Sequence, residues 1–204
     1  MFKILDEVCT PKRGTKYSAY VDLFAREDIT IGAGETKIVK LGVKLDMDFF
    51  ESMFNPDRLD FKTAKVGGLY SDYELRIQKH QLHNFLKSHY LEIALRSSLG
   101  VKGLIIANGI GIIDLDYPDE IGLIVHNPIQ RLQNFQGEYC EVYPDIFYIN
   151  KGDKVAQCTL KEHKGYLMGY ESDVARTGGF GSTDNKVEAP IFDKPDFFRC
   201  NELN

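Results

Sequence analysis

The chain has 204 residues, of which 43% are hydrophobic and 27% charged, and its formal net charge is −5. This length suits a single domain with a sizeable core. The acidic balance argues against nucleic acid as a partner, since proteins that bind its backbone usually carry a basic patch. No segment approaches the roughly 18 consecutive apolar residues of a membrane span, so we expect no membrane partner either.

The cysteines Cys9, Cys140, Cys158 and Cys200 are widely spaced and form no Cys-x-x-Cys pair. This spacing disfavours a zinc site and predicts reduced thiols, as in a cytosolic protein. The first residues, MFKILDE, lack the long apolar middle of a signal peptide. We therefore expect a cytoplasmic location, which would be the host cytoplasm if the protein is viral.

Short apolar runs separated by turn residues predict a mainly β structure. Residues 37–45 alternate apolar and basic side chains, as a half-buried strand does. Residues 90–95 also alternate, and residues 104–106 are typical of a buried strand. Residues 121–126 are apolar and follow an acidic turn, which predicts a hairpin with the strand before that turn. Many short strands with glycine-rich turns predict an all-β sandwich or jelly roll rather than a βαβ sheet.

Residues 71–87 break this pattern and predict a helix. Ser71 can cap this helix, and Glu74, three residues later, completes a capping box. The apolar residues at helical spacing form one stripe, made of Leu75, Leu82, Phe85 and Leu86.

The segment from Gly109 to Tyr117 (GIGIIDLDY) contains two glycines, an apolar run and two carboxylates. The glycines let another group approach the backbone closely, because they have no Cβ. Asp114 and Asp116 are two apart on an extended chain and would share a face, where two negative charges repel unless one has a function or a partner. The segment favours a chemical role, and a β-turn with exposed aspartates is the alternative.

Four other segments accompany the acidic one in a fixed order: residues 18–25 (SAYVDLFA), 95–103 (LRSSLGVKG), 149–157 (INKGDKVAQ) and 176–183 (RTGGFGST). With the acidic segment third, the series resembles the five ordered motifs of the trimeric dUTPases, which cleave dUTP to dUMP and pyrophosphate. The resemblance implies an all-β jelly-roll fold and a homotrimer with shared active sites.

The resemblance also implies a role for each residue of the acidic segment. Asp114 matches the catalytic aspartate that orients and polarises the attacking water. Tyr117 would pack flat on the deoxyribose, so that a 2′-hydroxyl would clash. The strand from Asn108 onward, with Gly111 and Ile113, would read uracil through backbone N–H and C=O groups.

The other four motifs would supply the phosphate contacts and the lid. Arg176 would pair with the terminal phosphate, and Phe180 would stack over uracil. Mg²⁺ is the implied cofactor, held mainly by the phosphates, with Asp22 near it through water. The remaining implied substrate-binding residues are Arg96, Ser97, Ser98, Lys102, Gln157, Gly179, Gly181 and Ser182.

The resemblance covers residues 1–183, in which residues 46–88 are a partly helical insertion, and residues 184–204 form a C-terminal extension. The chain departs from the family's pattern at a few positions. Tyr20 stands where the first motif usually has a glycine, and residues 118–120 stand where a glycine commonly closes the turn. Arg176 lies one residue nearer the glycines than is most common.

Two alternative functions stay open. The dCTP deaminases share the fold and an Arg-Ser-Ser start, but Ile124 stands where their catalytic glutamate is found, and isoleucine carries no proton. A regulatory protein could instead dock a protein partner through the insertion, with Leu75, Leu82 and Phe85 as anchors. The same stripe could also pack on its own domain.

Overall fold

The computed structural model describes residues 1–54, 72–129, 146–169 and 178–179, with the backbone alone for residues 72–78. These residues form twelve short strands and three α-helices. The strands are β1 (Phe2–Ile4), β2 (Lys12–Arg13), β3 (Val21–Phe24), β4 (Ile29–Ile31), β5 (Thr36–Lys40), β6 (Val43–Leu45), β7 (His89–Leu95), β8 (Ile105–Ile106), β9 (Gly111–Asp114), β10 (Gly122–His126), β11 (Phe147–Ile149) and β12 (Lys154–Glu162). The helices are α1 (Met47–Met53), α2 (Asp72–Ser88) and α3 (Ser97–Gly100).

The strands form one large sheet and several small ones, all with antiparallel pairing. The large sheet has five strands in the order β2-β3-β12-β7-β9. A three-stranded sheet, β5-β10-β8, and the pairs β1-β6 and β11-β4 complete the fold. This all-β architecture of short antiparallel strands is of the predicted jelly-roll type. Within the described ranges, no helix combines the length and the apolar character needed to cross a bilayer.

The inward side chains of the sheets merge into one hydrophobic core. Leu91 and Ile93 of the five-stranded sheet belong to the same buried cluster as Val39 and Leu123 of the three-stranded sheet. Cys158 lies in this cluster, and its burial raises the pKa of its thiol to about 12. Both described cysteines are free, as the sequence predicts, and both are buried, whereas Cys140 and Cys200 lie outside the described residues.

The predicted hairpin between residues 121–126 and the preceding strand is wrong. Residues 122–126 do form β10, but β10 pairs with β5 and β8, whereas β9 pairs with β7. The acidic turn, residues 114–121, therefore connects two different sheets. Its far end is held by β-type hydrogen bonds: the Leu41 N–H donates to the Ile121 carbonyl at 3.0 Å, and the Ile121 N–H donates to the Val43 carbonyl at 2.9 Å.

Two other strand predictions need correction. Residues 37–45 are not one strand, because the chain breaks at Gly42, whose φ is +61°. A Cβ at Gly42 would lie 2.5 Å from the Cys9 sulfur, so the site accepts only glycine. In residues 104–106, Leu104 is buried as predicted, but Ile105 is 46% exposed.

The predicted helix in the insertion is confirmed as α2. Leu82, Phe85 and Leu86 are half-buried against the core. The Phe85 ring lies 6.0 Å from that of the fully buried Phe50 and stacks on His89 at 4.3 Å. The described part of the apolar stripe therefore packs on its own domain, while the side chains of Ser71, Glu74 and Leu75 lie outside the described residues.

Candidate active site

A cavity of about 230 Å³ opens between β9 and β10, where the acidic turn separates the two strands. Pockets for drug-sized ligands are larger, on the order of 300–1,000 Å³, so this one suits a base with its sugar rather than a whole nucleotide. Five predicted substrate residues line it together: Asn108, Gly111, Ile113, Tyr117 and Gly179. Sequence reasoning missed the opposite wall, made of Ile106, Gly122, Leu123 and Ile124, because it paired β10 with the wrong strand.

Gly111 brings one wall of the cavity close to β7 of the large sheet. Gly111 pairs with Ile93 of β7, and a Cβ at position 111 would lie 3.0 Å from the Ile93 Cβ and 3.3 Å from its carbonyl oxygen. The absence of a side chain therefore lets β9 pack tightly on β7 and leaves its backbone facing the cavity.

The acidic turn alternates inward and outward side chains. Leu115 and Tyr117 are buried, whereas Asp114 and Asp116 share the opposite face, as their spacing predicts, and both are exposed. The Tyr117 N–H donates to the Asp114 carbonyl at 3.0 Å, and the Tyr117 hydroxyl donates to the Glu120 carbonyl at 3.4 Å. These bonds fix the tyrosine ring as one wall of the cavity.

Gly179 of the fifth motif lies directly on the Tyr117 ring. A Cβ at position 179 would be 2.4 Å from Tyr117 Cε2 and 2.9 Å from its hydroxyl oxygen. Only a glycine can approach the ring this closely. The contact joins the third and fifth motifs, while Arg176, Phe180, Gly181 and Ser182 lie outside the described residues.

An ion-pair cluster around the buried Asp22 joins the first, second and fourth motifs. The Asp22 carboxylate, 5% exposed, accepts a hydrogen bond from the Arg96 guanidinium at 2.6 Å and pairs with Lys154 at 3.1 Å. Gln157 lies opposite Asp22 in the β12–β3 register. The Arg96 Nε is buried and has no hydrogen-bond partner among the described residues. One negative and two positive charges give this cluster a net positive charge that suits an anion.

The remaining residues of the second motif follow directly on Arg96. Ser97 and Ser98 begin α3 and are exposed, and Lys102 is exposed just beyond that helix. The backbone N–H of Arg96 donates to the Val155 carbonyl at 3.0 Å, which ties the start of α3 to the fourth motif. The hydroxyl groups and the lysine therefore stand at the same end of the sheet as the cluster of Asp22, Arg96 and Lys154.

The residues of the second motif, which the resemblance assigns to the phosphates, lie far from Asp114 within one chain. Tyr90, the cross-strand partner of Asp114, precedes Arg96 by six residues. At about 3.3 Å per residue these two positions are roughly 20 Å apart along β7. Arg96 also points towards Asp22 on β3, and β12 and β7 separate β3 from β9. A triphosphate is much shorter than this distance, so one chain alone does not bring both sets of residues to one substrate.

A second buried carboxylate, Glu92 on β7, lies between the two sets of residues, and no motif in the sequence pointed to it. Glu92 accepts hydrogen bonds from the Tyr20 hydroxyl and, at 3.0 Å, from the Tyr90 hydroxyl, and it pairs with Lys161 at 3.7 Å. The Tyr20 hydrogen bond, helped by Tyr90 and Lys161, holds the pKa of Glu92 below its usual value. Tyr20 thus fills the place of the family's glycine and links the first motif to the centre of the sheet.

The comparisons with known proteins find dUTPases. No protein-family model matches the chain. The deoxyuridine 5′-triphosphate nucleotidohydrolase of Rickettsia felis is 28% identical over 181 residues, which cover 85% of this chain and 86% of that protein. The enzymes of that name from Lactococcus lactis and Variola virus are also 28% identical, over 184 and 182 residues, and cover 85% of this chain.

Solved structures show the same fold. A mutant dUTPase from phage phi11 of Staphylococcus aureus, described with a structural Mg(II) ion, has a TM-score of 0.51 and 18% identity, and the match covers 89% of this chain and 98% of that one. Another dUTPase structure from phage phi11 has a TM-score of 0.50 and 17% identity, covering 89% and 97%. The fold and the cavity define the chain as an all-β protein with a pocket that suits a base and its sugar. The sequence relatives then show that it is similar to the dUTPases along most of its length, as its motifs predict.

Proposed function

We propose that this protein is a dUTP diphosphatase that hydrolyses dUTP to dUMP and pyrophosphate. The cavity in which the third motif and Gly179 meet carries the proposal, in a chain that is similar to dUTPases over 85% of its length. The cavity accepts the base and the sugar, and the phosphates extend out of it towards charged residues.

The shape of the cavity supports selection of the nucleoside. Uracil enters between β9 and β10, where the β9 backbone offers N–H and C=O groups beside apolar side chains. We expect the apolar side chains that line the cavity to exclude the methyl group of thymine, because closely packed walls yield little. The buried Tyr117 ring lies against the sugar and rejects a 2′-hydroxyl by a clash.

Asp114 acts as the base in the hydrolytic step. It accepts a proton from a water molecule as the water oxygen attacks the α-phosphorus, and the bond between that phosphorus and the bridging oxygen to the β-phosphate breaks. Pyrophosphate leaves with the electron pair of that bond. Asp114 is exposed at the end of β9, where it can reach a water outside the cavity.

The cluster of Asp22, Arg96 and Lys154 fits Mg²⁺ only together with the phosphates. Both carboxylate oxygens of Asp22 already face cations, so a direct bond from Asp22 to the metal is disfavoured and a bridge through water fits better. Mg²⁺ bound to the triphosphate neutralises its charge and aligns the phosphates. We expect no binding of Mg²⁺ alone at Asp22, which calorimetry without nucleotide tests.

The separation of about 20 Å within one chain supports a homotrimer with shared sites. A second copy supplies Arg96, Ser97, Ser98, Lys102 and Gln157 to the phosphates of a dUTP whose base lies in the first copy's cavity. Light scattering tests the assembly: a trimer supports the proposal, and a stable, active monomer contradicts it.

The function is tested by incubating the protein and Mg²⁺ with dUTP, dCTP, dTTP and UTP separately. Pyrophosphate release from dUTP alone, with loss of turnover in Asp114→Asn, supports the proposal. Ammonia release from dCTP would favour a deaminase, although Ile124, at the position of the deaminase glutamate, only lines the cavity. Absence of turnover with every nucleotide would favour a regulatory protein that binds through the insertion.

A further inference from the structure

Glu120, in the acidic turn, joins three separate segments of the chain. Its side chain is 18% exposed, and one carboxylate oxygen accepts a hydrogen bond from the Arg26 guanidinium at 2.8 Å. The other oxygen accepts the Gly42 N–H at 2.9 Å. Arg26 lies between β3 and β4, and Gly42 lies between β5 and β6, so the carboxylate links the turn to two distant connections.

The Gly42 N–H needs this side chain because the backbone leaves it unpaired. On either side of Gly42, Leu41 and Val43 exchange backbone hydrogen bonds with Ile121. Gly42 itself is buried with φ at +61°, and its N–H points to the Glu120 carboxylate rather than to a backbone carbonyl. A buried N–H without an acceptor would be costly, so the contact strongly favours this position of the turn.

The position of Tyr117 depends on the same turn. The backbone carbonyl of Glu120 accepts a hydrogen bond from the Tyr117 hydroxyl at 3.4 Å. Glu120 therefore contacts Tyr117 through its main chain and Gly42 through its side chain. Bonds to charged groups are stronger than neutral ones, and the Arg26 pair is only partly open to solvent. A shift of the turn would therefore move the tyrosine ring that closes the cavity.

We propose that Glu120 is a positioning residue: bound to Arg26 and to the Gly42 N–H, it fixes the acidic turn and so sets how strongly Tyr117 rejects a ribose. The proposal rests on the assignment of the cavity to a deoxyuridine nucleotide. Glu120 touches neither the sugar nor the reacting atoms and acts through the turn alone.

The test compares Glu120→Gln with wild type in two measurements. The first is the ratio of kcat/KM for dUTP to that for UTP, and the second is the ratio of Kd for UMP to that for dUMP by calorimetry, which needs no hydrolysis. In Glu120→Gln we expect both ratios to fall about tenfold, the effect of one charge-assisted hydrogen bond, with kcat for dUTP little changed. Arg26→Gln should lower the ratios similarly, and the double variant should lower them no further, because the two residues act as one unit.

Glu35→Gln is the matched control. Glu35 also accepts a turn N–H, from Gly32 at 2.8 Å, and pairs with Lys37 at 3.0 Å, but it lies between β4 and β5 and does not line the cavity. It should leave both ratios at the wild-type value. Equal ratios in Glu120→Gln and wild type, or equal effects of Glu120→Gln and Glu35→Gln, would overturn the proposal.

The two proposals fail in distinguishable ways. The wild-type protein could fail to turn over dUTP but still bind dUMP more tightly than UMP. If Glu120→Gln then lowers this preference, the diphosphatase proposal is refuted and the role of Glu120 is supported. Normal dUTP turnover with unchanged ratios in Glu120→Gln would refute the role of Glu120 alone. A wild-type protein that binds dUMP and UMP equally would refute the role of Glu120 in sugar selection. If Glu120→Gln unfolds, the ratios measured for the milder Arg26→Lys decide the question in the same way.

Discussion

The contact of Gly179 with Tyr117 predicts that a single methyl group in the fifth motif disables the enzyme without harming the fold. In Gly179→Ala the added Cβ would lie 2.4 Å from Tyr117 Cε2, whereas ordinary contacts begin at 3.4 Å. The segment must therefore retreat by about 1 Å, because the Tyr117 ring is only 6% exposed and is held by the core.

A displacement of about 1 Å at a group that closes a site can cost on the order of 100-fold in rate. We expect a loss of this size in kcat/KM for dUTP, together with an unchanged Tm, because the substitution removes no side chain from the hydrophobic core. Steady-state pyrophosphate release and thermal unfolding monitored by circular dichroism measure the two effects.

Gly100→Ala is the control for this substitution. No heavy atom lies within 4 Å of a Cβ built at Gly100, so this variant should keep wild-type turnover and Tm. Wild-type kcat/KM in Gly179→Ala would refute the reasoning, since the ring contact would then have no part in closure. A large fall in Tm would also refute it, because Gly179 would then belong to the folded core.

Three further predictions concern the elements that carry the site. Asp22→Asn should lower the free energy of unfolding by about 2 kcal/mol in urea melts, because Arg96 loses its buried partner; an unchanged melt would contradict this. Gly111→Ala should cost about 1–3 kcal/mol in the same melts, since its Cβ would press on the Ile93 backbone at 3.3 Å. Burial raises the pKa of the Cys158 thiol from 9.0 to about 12, so the thiol loses its proton at lower pH in the unfolded chain than in the folded one. The free energy of unfolding should therefore fall as the pH rises from about 9 to 12. That part of the fall should be absent in Cys158→Ala, and an equal fall in both proteins would contradict the assignment.

Local sequence features predicted some of the individual elements. The capping residues and the apolar stripe predicted α2, and the spacing of Asp114 and Asp116 predicted that they share a face, although it did not predict that both are exposed. These features depend on neighbours in the chain, so the period of the side chains is sufficient to predict them.

Pairings between residues that are far apart in the chain could not be predicted from the sequence. The β9–β10 hairpin was wrong because the bonds that hold Ile121 come from residues 41 and 43, and no local signal reports them. Likewise Glu92 and Tyr20 are 72 residues apart, and Glu120 and Gly42 are 78 apart. Such contacts depend on strand order across sheets, which loop lengths and turn residues do not determine.

The central claim is that dUTP is hydrolysed at a site divided between copies of the chain, and mixed oligomers test it most directly. Asp114→Asn lacks the base, and Arg96→Gln lacks a phosphate contact while Lys154 still pairs with Asp22. Each variant alone should be inactive. After co-refolding in equal amounts, about a quarter of the sites would combine an intact Asp114 from one copy with an intact Arg96 from another, so about a quarter of wild-type dUTP turnover should return. Mixtures as inactive as either variant alone would contradict the account.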